Sequence, residues 1–256
     1  MSKRHILGAL VALAAWSGAY VPTGTTVASN AATDNVISRL QIGEAAQANV
    51  RWKPNPDRGS ASSTLSGGRR GIATAACALD SGIPDPALTL LVPAGDETEL
   101  TTQAQPTLAW FLESKAVADM EFMLFQSNQV EPVYSKEISA SAGLVEVTLP
   151  ADIELEEGVQ YRWTVFMNCN SGSSQVHARS FVKRVAAADI PIDTSAMTTA
   201  EQATIYAAHG VWYDTLNALI RAYREEAQMK TLLEIRDLLE QAGTNVPLDL
   251  SLAIAS

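Results

Sequence analysis

The stretch "VQYRWTVFMNC", residues 159–169, decides the fold that the sequence predicts. An apolar or sulfur-bearing side chain stands at every second position: Val159, Tyr161, Trp163, Val165, Met167 and Cys169. Successive side chains of a β-strand point to opposite faces, so this row indicates a strand with one buried side. Cys169 ends the row, which raises the question of whether it is a catalytic thiol, a metal ligand or half of a disulfide.

Six further short stretches between Leu88 and Val185 have the same period of two, with turn residues at short intervals. They are "LTLLV" (88–92), "PTLAWFLE" (106–113), "DMEFMLFQ" (119–126), "VYSKEI" (133–138), "LVEVTLP" (144–150) and "QVHARSFVKRV" (175–185). About seven short strands without intervening helices exclude an α/β fold. They predict an immunoglobulin-like antiparallel β-sandwich over residues 77–188.

After Ile190 the apolar period changes to that of helices. Thr198 and Glu201 have the spacing of a capping box, and the helix that they begin is expected to end at Gly210. On the next helix one face is apolar, which leaves Asp214, Asn217, Arg221, Arg224 and Glu225 for solvent. A third helix stops at Gly243, so a helical unit over residues 196–245 is predicted to pack on the sandwich, with a tail at 246–256.

The aromatic stripe of the second helix, Trp212, Tyr213 and Tyr223, has two interpretations. Aromatic residues are favoured at interfaces, so the stripe could be an interaction face for a partner. Alternatively, the rings form the seam between the helices and the sandwich. The seam is the favoured interpretation, because about sixty helical residues bury too little surface alone.

The N-terminal segment has the pattern of a secretory signal. Lys3, Arg4 and His5 precede the apolar run "ILGALVALAAWSGAYV" and then small polar residues, which predicts a signal peptide over residues 1–31. An uncleaved anchor is the alternative. Residues 32–76 are expected to be a flexible lead-in, rich in Arg, Gly, Ser and Pro from position 51. The protein is therefore predicted to be exported, periplasmic or extracellular, with no stable membrane span after signal removal.

Composition and charge indicate a globular protein that does not bind nucleic acid. A chain of 256 residues with 47% hydrophobic and 18% charged residues is that of a globular protein able to bury a core. The formal net charge is -10, and loss of Lys3 and Arg4 with the signal makes it -12. Such an acidic surface repels phosphate backbones, so nucleic acid is not an expected partner.

The chain has two cysteines, Cys77 and Cys169. In an exported protein thiols oxidise, and the two can form one intramolecular disulfide. A catalytic cysteine needs a base, and only His177 and His209 remain after the signal, neither in a recognisable cysteine-peptidase context. A zinc site needs three or four ligands at short spacing, and the sequence has no such cluster. The disulfide is therefore the favoured prediction.

The sequence carries no motif for a reaction or a cofactor. It has no Gly-x-Ser-x-Gly elbow, phosphate-binding glycine loop, dinucleotide fingerprint or calcium loop. The acidic stretches "DETE" (96–99) and "ELEE" (154–157) offer carboxylates that could bind a hard cation, but turns between strands are the favoured interpretation. We therefore expect no catalytic, cofactor or metal residues, and a non-enzymatic module that binds an unknown protein or envelope component. The alternative is a hydrolase or carbohydrate-active accessory protein whose site residues are scattered along the chain.

Four segments in order, "GGRRGIATAAC", "LTLLVP", "YRWTVFMNC" and "YAAHGVWYDTL", resemble the domain of unknown function 928 family of exported cyanobacterial proteins. In that family an Arg/Gly-rich stretch precedes a first cysteine, here Cys77, and a Tyr-Arg-Trp strand ends in a second, here Cys169. A Gly-x-Trp-Tyr-Asp segment opens a helix, here at Gly210. The resemblance implies export and the disulfide, and it brings no activity. Separately, "ATIYAAHGVWYDTLNAL" resembles one tetratricopeptide repeat, although a solenoid needs about three.

Overall fold

The computed structural model describes residues 50–59, 74–77, 86–95, 97–127, 129–169, 174–190, 195–244 and 246. All of them belong to one unit of the chain, Ala46–Ser256. The predicted signal peptide, most of the predicted lead-in and all but residue 246 of the predicted tail lie outside the described residues.

The described strands form two sheets. The four-stranded sheet has the order β1 (Thr74–Ala76), β2 (Ala87–Leu90), β4 (Thr107–Glu113), β7 (Gly143–Thr148), all antiparallel. The five-stranded sheet has the order β3 (Glu99–Thr101), β9 (Gln175–Arg184), β8 (Gln160–Asn168), β5 (Ala118–Gln126), β6 (Tyr134–Ala140), with only β3 and β9 parallel.

All seven predicted strands are present, so the prediction of a mainly β fold with sandwich-like sheets is confirmed, while its immunoglobulin-like detail stays a prediction. Two further strands, β1 and β3, were not predicted. Each has three residues, which is too short for a period of two to be visible. Strand β1 also places the start of the four-stranded sheet three residues before the predicted boundary at residue 77.

Strand β8 supplies the centre of the core, as its sequence pattern predicts. Tyr161, Trp163, Val165 and Met167 are all buried. The ring of Trp163 lies 6.5 Å from that of Trp110 on β4 and 6.1 Å from that of Phe122 on β5. Large rings from both sheets therefore meet in one interior. The hydroxyl of Tyr161 accepts a hydrogen bond of 3.2 Å from the backbone N–H of Glu156, which fixes the turn ahead of the strand.

Three helices follow the sheets: α1 (Thr199–Ala208), α2 (Trp212–Glu226) and α3 (Met229–Gln241). The predicted capping box is present, because Thr198 accepts from the N–H of Glu201 while the carboxylate of Glu201 accepts from the N–H of Thr198. The chain turns between α1 and α2 at Gly210, whose φ of 70° lies in the left-handed region that favours glycine. The three predicted helices are therefore confirmed.

Residues 50–59, here named the strap, lie against the helices and the five-stranded sheet. The N–H of Lys53 donates to the carbonyl of Ala207 at 3.1 Å, and the N–H of Trp52 donates to Oε1 of Gln241 at 2.8 Å. A Cβ at Gly210 would come within 2.8 Å of the carbonyl oxygen of Lys53, so the close approach of the strap also requires glycine there. At its far end, Thr98 N–H donates to the carbonyl of Gly59 at 3.2 Å. This described part of the predicted lead-in is therefore fastened at both ends.

Candidate functional site

Cys77 and Cys169 form a disulfide, with Cα atoms 5.7 Å apart and a sequence separation of 92. Cys77 directly follows β1 of the four-stranded sheet, and Cys169 directly follows β8 of the five-stranded sheet. The bond therefore joins the two sheets, and both cysteines are buried. The predicted disulfide is present, and neither sulfur is available as a nucleophile or as a zinc thiolate.

The aromatic stripe of α2 lies mostly inside the protein. Trp212 is 0% exposed and Tyr213 is 1% exposed, while Tyr223 is half-buried. The indole N–H of Trp212 donates to the carbonyl of Leu91 at 2.8 Å, just after β2. Its ring meets that of Trp52 edge-on at 4.9 Å. Of the two interpretations of the stripe, this burial favours the seam, because Trp212 and Tyr213 present no surface to a partner.

Tyr213 reaches the five-stranded sheet from the same turn of α2. Its hydroxyl accepts from the indole N–H of Trp163 at 2.9 Å and donates to the carbonyl of Phe181 at 3.0 Å. Burial raises the pKa of Tyr213 above its ordinary value. The neutral hydroxyl thus accepts one of these hydrogen bonds and donates the other, and together they position the helix.

Asp214 is buried, contrary to the prediction that it faces solvent; it is 5% exposed. Its carboxylate accepts from the hydroxyl of Thr101 at 2.7 Å and from the N–H of Thr102 at 3.1 Å, and it also accepts from the hydroxyl of Thr102 and from Gln103. Burial raises the pKa of Asp214, and these hydrogen bonds oppose the shift. Helical periodicity missed this residue because its donors come from a distant segment at the end of β3.

Glu99 lies in β3, contrary to the prediction that residues 96–99 form a turn. It is 2% exposed, and its Oε1 accepts from Nη1 of Arg58 in the strap at 2.9 Å. The other guanidinium nitrogen, Nη2, lies 3.5 Å from Glu97. Burial raises the pKa of Glu99 to about 7, although Arg58 acts in the opposite direction. A shift of this size occurs at functional sites and also in structural ion pairs, and here the strap covers the carboxylate.

The other polar residues singled out in the sequence have local roles. Glu154 accepts from Gln105 at 3.0 Å, and Glu157 lies 3.5 Å from Arg184, so the stretch 154–157 is tied to its neighbours. His177 is exposed on β9, with its ring 5.5 Å from that of Phe166. Nδ1 of His209 lies 2.8 Å from the carbonyl of Ile205 at the end of α1. Within the described ranges, no group of three or more His, Cys, Asp or Glu residues is arranged to hold a metal ion.

A groove of about 490 Å³ lies where the start of α1, the end of α2 and the start of α3 meet; we name it the helix groove. Most of its lining side chains are polar or charged, among them Thr198, Thr199, Gln202, Arg221, Glu225, Glu226, Gln228, Lys230, Thr231 and Glu234. The apolar contributions come from Met197, Ala200 and Ala222. The groove therefore suits a polar occupant.

The charges of the helix groove are organised in neighbouring pairs. The hydroxyl of Thr199 donates to Glu225 at 2.6 Å, and Arg221 lies 3.9 Å from the same carboxylate. Nζ of Lys230 lies 3.7 Å from Glu234, which is 4% exposed. Only a weak signal for this site is present in the sequence, because Arg221 and Glu225 are expected on the solvent side of one helix and the other walls come from two further helices.

Residues 65–251 match the family described as Domain of Unknown Function (DUF928). No curated protein matches the chain. A solved structure of Astrotactin-2, described as a conserved vertebrate-specific and perforin-like membrane protein involved in neuronal development, is similar at 11% identity and a TM-score of 0.24. The likeness covers 69% of this chain and 40% of that one, and at this TM-score it supports no argument. Among the described residues, none of the helices has the length and hydropathy that a membrane span requires.

Proposed function

The chain belongs to the Domain of Unknown Function (DUF928) family, and we propose that it acts as an exported, non-enzymatic binding protein of the cell envelope. The helix groove is its binding site, and the sandwich is the support that holds the groove in place. The occupant is a polar, charged segment of a partner protein or envelope polymer. The observation that carries this proposal is the polar groove of about 490 Å³ at the junction of three helices.

The size and chemistry of the groove support binding. Its volume falls within the roughly 300–1,000 Å³ of common ligand sites. Those sites are mostly apolar, whereas this one offers the hydroxyls of Thr198 and Thr199 and the charges of Arg221, Glu225 and Lys230. A partner segment with both acidic and basic side chains can pair with the basic and acidic side chains of the groove walls. Such charge-assisted hydrogen bonds are strong and directional.

The anchoring of α2 supports a preorganised site. The first turn of this helix is held by Trp212, Tyr213 and Asp214, which bond to segments of both sheets. The last turns of the same helix carry Arg221 and Glu225 into the groove. A binding residue on a helix whose other end is fixed loses little conformational freedom on binding.

Export is supported by the signal-like N-terminal sequence and by the disulfide. Disulfides persist in oxidising compartments and are rare in the cytosol. The test is the intact mass of protein recovered from the envelope of the native host. A mature N-terminus between residues 28 and 33 is expected, and a full-length mass in the soluble envelope fraction would contradict cleavage.

Binding in the groove is tested by affinity capture from envelope extract with the full exported chain. Glu225→Lys reverses a charge in the groove, and we expect it to abolish capture of the partner that the unmodified protein retains. Glu240→Lys is the matched control, because Glu240 is an exposed residue near the other end of α3 and does not line the groove. Equal capture by both variants would refute the helix groove as the binding site.

The second candidate function is a hydrolase or carbohydrate-active protein. It is favoured by the three glutamates of the groove, Glu225, Glu226 and Glu234, because hydrolysis of glycosidic bonds uses a pair of carboxylates. The test is release of soluble fragments from envelope polysaccharide by the exported protein. Hydrolysis that is lost in Glu234→Gln and kept in Glu240→Gln would establish this function in place of simple binding.

A further inference from the structure

The outer face of the five-stranded sheet is a second candidate surface, separate from the helix groove. Side chains alternate along each strand, so the residues opposite the core fall into registered rows. One row runs Glu137, Glu121, Phe166, His177; the next runs Ser135, Met123, Thr164, Arg179; the third runs Phe125, Arg162, Phe181. We name these three rows the sheet face.

Charges of one sign are grouped on each half of the sheet face. On the β5 and β6 half, Glu121 lies directly opposite Glu137, an arrangement that destabilises an antiparallel pair. On the β8 and β9 half lie Arg162 and Arg179. Burial lowers the pKa of Arg162, and the neighbouring charge of Arg179 lowers it further. The isolated chain therefore keeps like charges close together on both halves of one surface.

Along the line where the two charged halves adjoin, the sheet face is largely apolar, although Phe125, Thr164 and Phe181 are buried within the chain itself. The guanidinium carbon of Arg162 lies 4.3 Å from the centre of the Phe125 ring. Phe166 and Met123 are partly exposed beside them. Nε of Arg162 is buried without an acceptor among the described residues. The partly exposed Phe166 and Met123, with charges on either side, are therefore the apolar contacts that this surface can offer to a partner.

We propose that the sheet face binds a second copy of this chain across a twofold axis that runs along the strands between β5 and β8. Rotation about this axis places β8 and β9 of one copy over β5 and β6 of the other. The basic half of each copy then meets the acidic half of the other, with His177 and Arg179 near Glu137 of the second copy. An axis across the strands would instead place arginine over arginine.

The symmetry of the dimer determines how many charged contacts it has, and the size of the sheet face limits how strongly it associates. A twofold interface uses the same patch on both copies, so each opposite-charge contact occurs twice. Four strands about 4.8 Å apart and about seven residues long cover on the order of 450 Å², and the accessible part is smaller because Phe125, Thr164 and Phe181 are buried within the chain. Stable interfaces bury about 800 Å² per partner, so the dimer is weak and depends on concentration. Arg179 also has an interaction within its own chain, and the proposal rests on the arrangement of charges rather than on an unpaired group.

Sedimentation velocity of the full chain over a wide concentration range tests the dimer. The unmodified protein is expected to shift from monomer to dimer as concentration rises, and added salt should weaken the dimer. Arg179→Glu alone and Glu137→Arg alone should each stay monomeric, because each places like charges at both contacts. An equimolar mixture of the two variants should dimerise again, since both contacts of the mixed dimer then pair opposite charges.

Arg221→Glu is the matched control for charge reversal, because Arg221 is exposed on α2 away from the sheet face; it should dimerise like the unmodified protein. His177→Glu, at an exposed position of the same face, replaces Arg179→Glu in the mixture if that variant does not fold. An unmodified chain that stays monomeric at every concentration overturns the proposal. So does a mixture of folded variants that fails to dimerise.

Discussion

The outer faces of the two sheets differ in what covers them. On β4 of the four-stranded sheet, Ala109 and Phe111 point away from the core and are nevertheless buried. Helix α2 packs against this strand, with Asn217 donating to the carbonyl of Thr107 at 2.9 Å and Arg224 paired with Glu146. On the outer face of the five-stranded sheet, Glu137 and His177 stay exposed, although Phe125 and Phe181 are buried. Side chains alternate in the same way in both sheets, so the position of α2 decides which outer face is covered by a helix.

Loss of the disulfide is expected to have the largest effect on stability, because the bond joins the two sheets. A bridge across 92 residues stabilises the fold by about 4–5 kcal/mol in the chain-entropy model. We expect Cys77→Ser and Cys169→Ser each to lower the free energy of unfolding by a similar amount, with the double variant no worse than either. Urea unfolding measures all three. Strictly additive losses, or two alkylatable thiols in the native exported protein, would contradict this.

Replacement of Trp212 by alanine tests whether α2 belongs to the core of the four-stranded sheet. Removing a fully buried tryptophan that also bonds to Leu91 should lower the free energy of unfolding by about 3–5 kcal/mol. Tyr223→Ala on the same helix is the control, because Tyr223 is only half-buried and should lose less. Both are measured by chemical denaturation. Equal losses would mean that the anchoring of α2 does not depend on its first turn.

The smallest expected effect concerns Glu99 at the edge of the five-stranded sheet. Its pKa is raised from 4.5 to about 7, so the folded state holds the proton more tightly than the unfolded state. The stability that this provides is complete below pH 4.5 and is lost as the pH rises towards 7. Over that window we expect the free energy of unfolding to fall by roughly 1–3 kcal/mol more in the unmodified protein than in Glu99→Gln.

Glu113→Gln is the control for this pH dependence, because Glu113 is exposed at the end of β4 and is not among the charges that shift the pKa of Glu99. Denaturant unfolding at a series of pH values measures all three proteins. The control should follow the unmodified protein. If Glu99→Gln shows the same pH profile as both, Glu99 does not hold a proton more tightly in the folded state.

Sequence patterns predicted the parts of the fold that depend on local periodicity. The row from Tyr161 to Cys169 identified β8, and the pair Thr198 and Glu201 identified the start of α1. The disulfide followed from cysteine number and predicted compartment. Strands β1 and β3 were missed because three residues carry no readable period. The burial of Asp214 and Glu99 was missed because Thr101 and Arg58, which bind them, are distant in sequence. The helix groove was missed for the same reason, because its walls come from three separate helices.

The strap has a practical consequence for how the protein is expressed. The match to the family begins at residue 65, and a fragment cut there would lack residues 50–59. It would lose Arg58, which binds the buried Glu99, and Trp52, whose ring meets that of Trp212. A fragment that retains these contacts of both the sheets and the helices therefore starts no later than Val50, outside the boundary that family similarity alone would suggest.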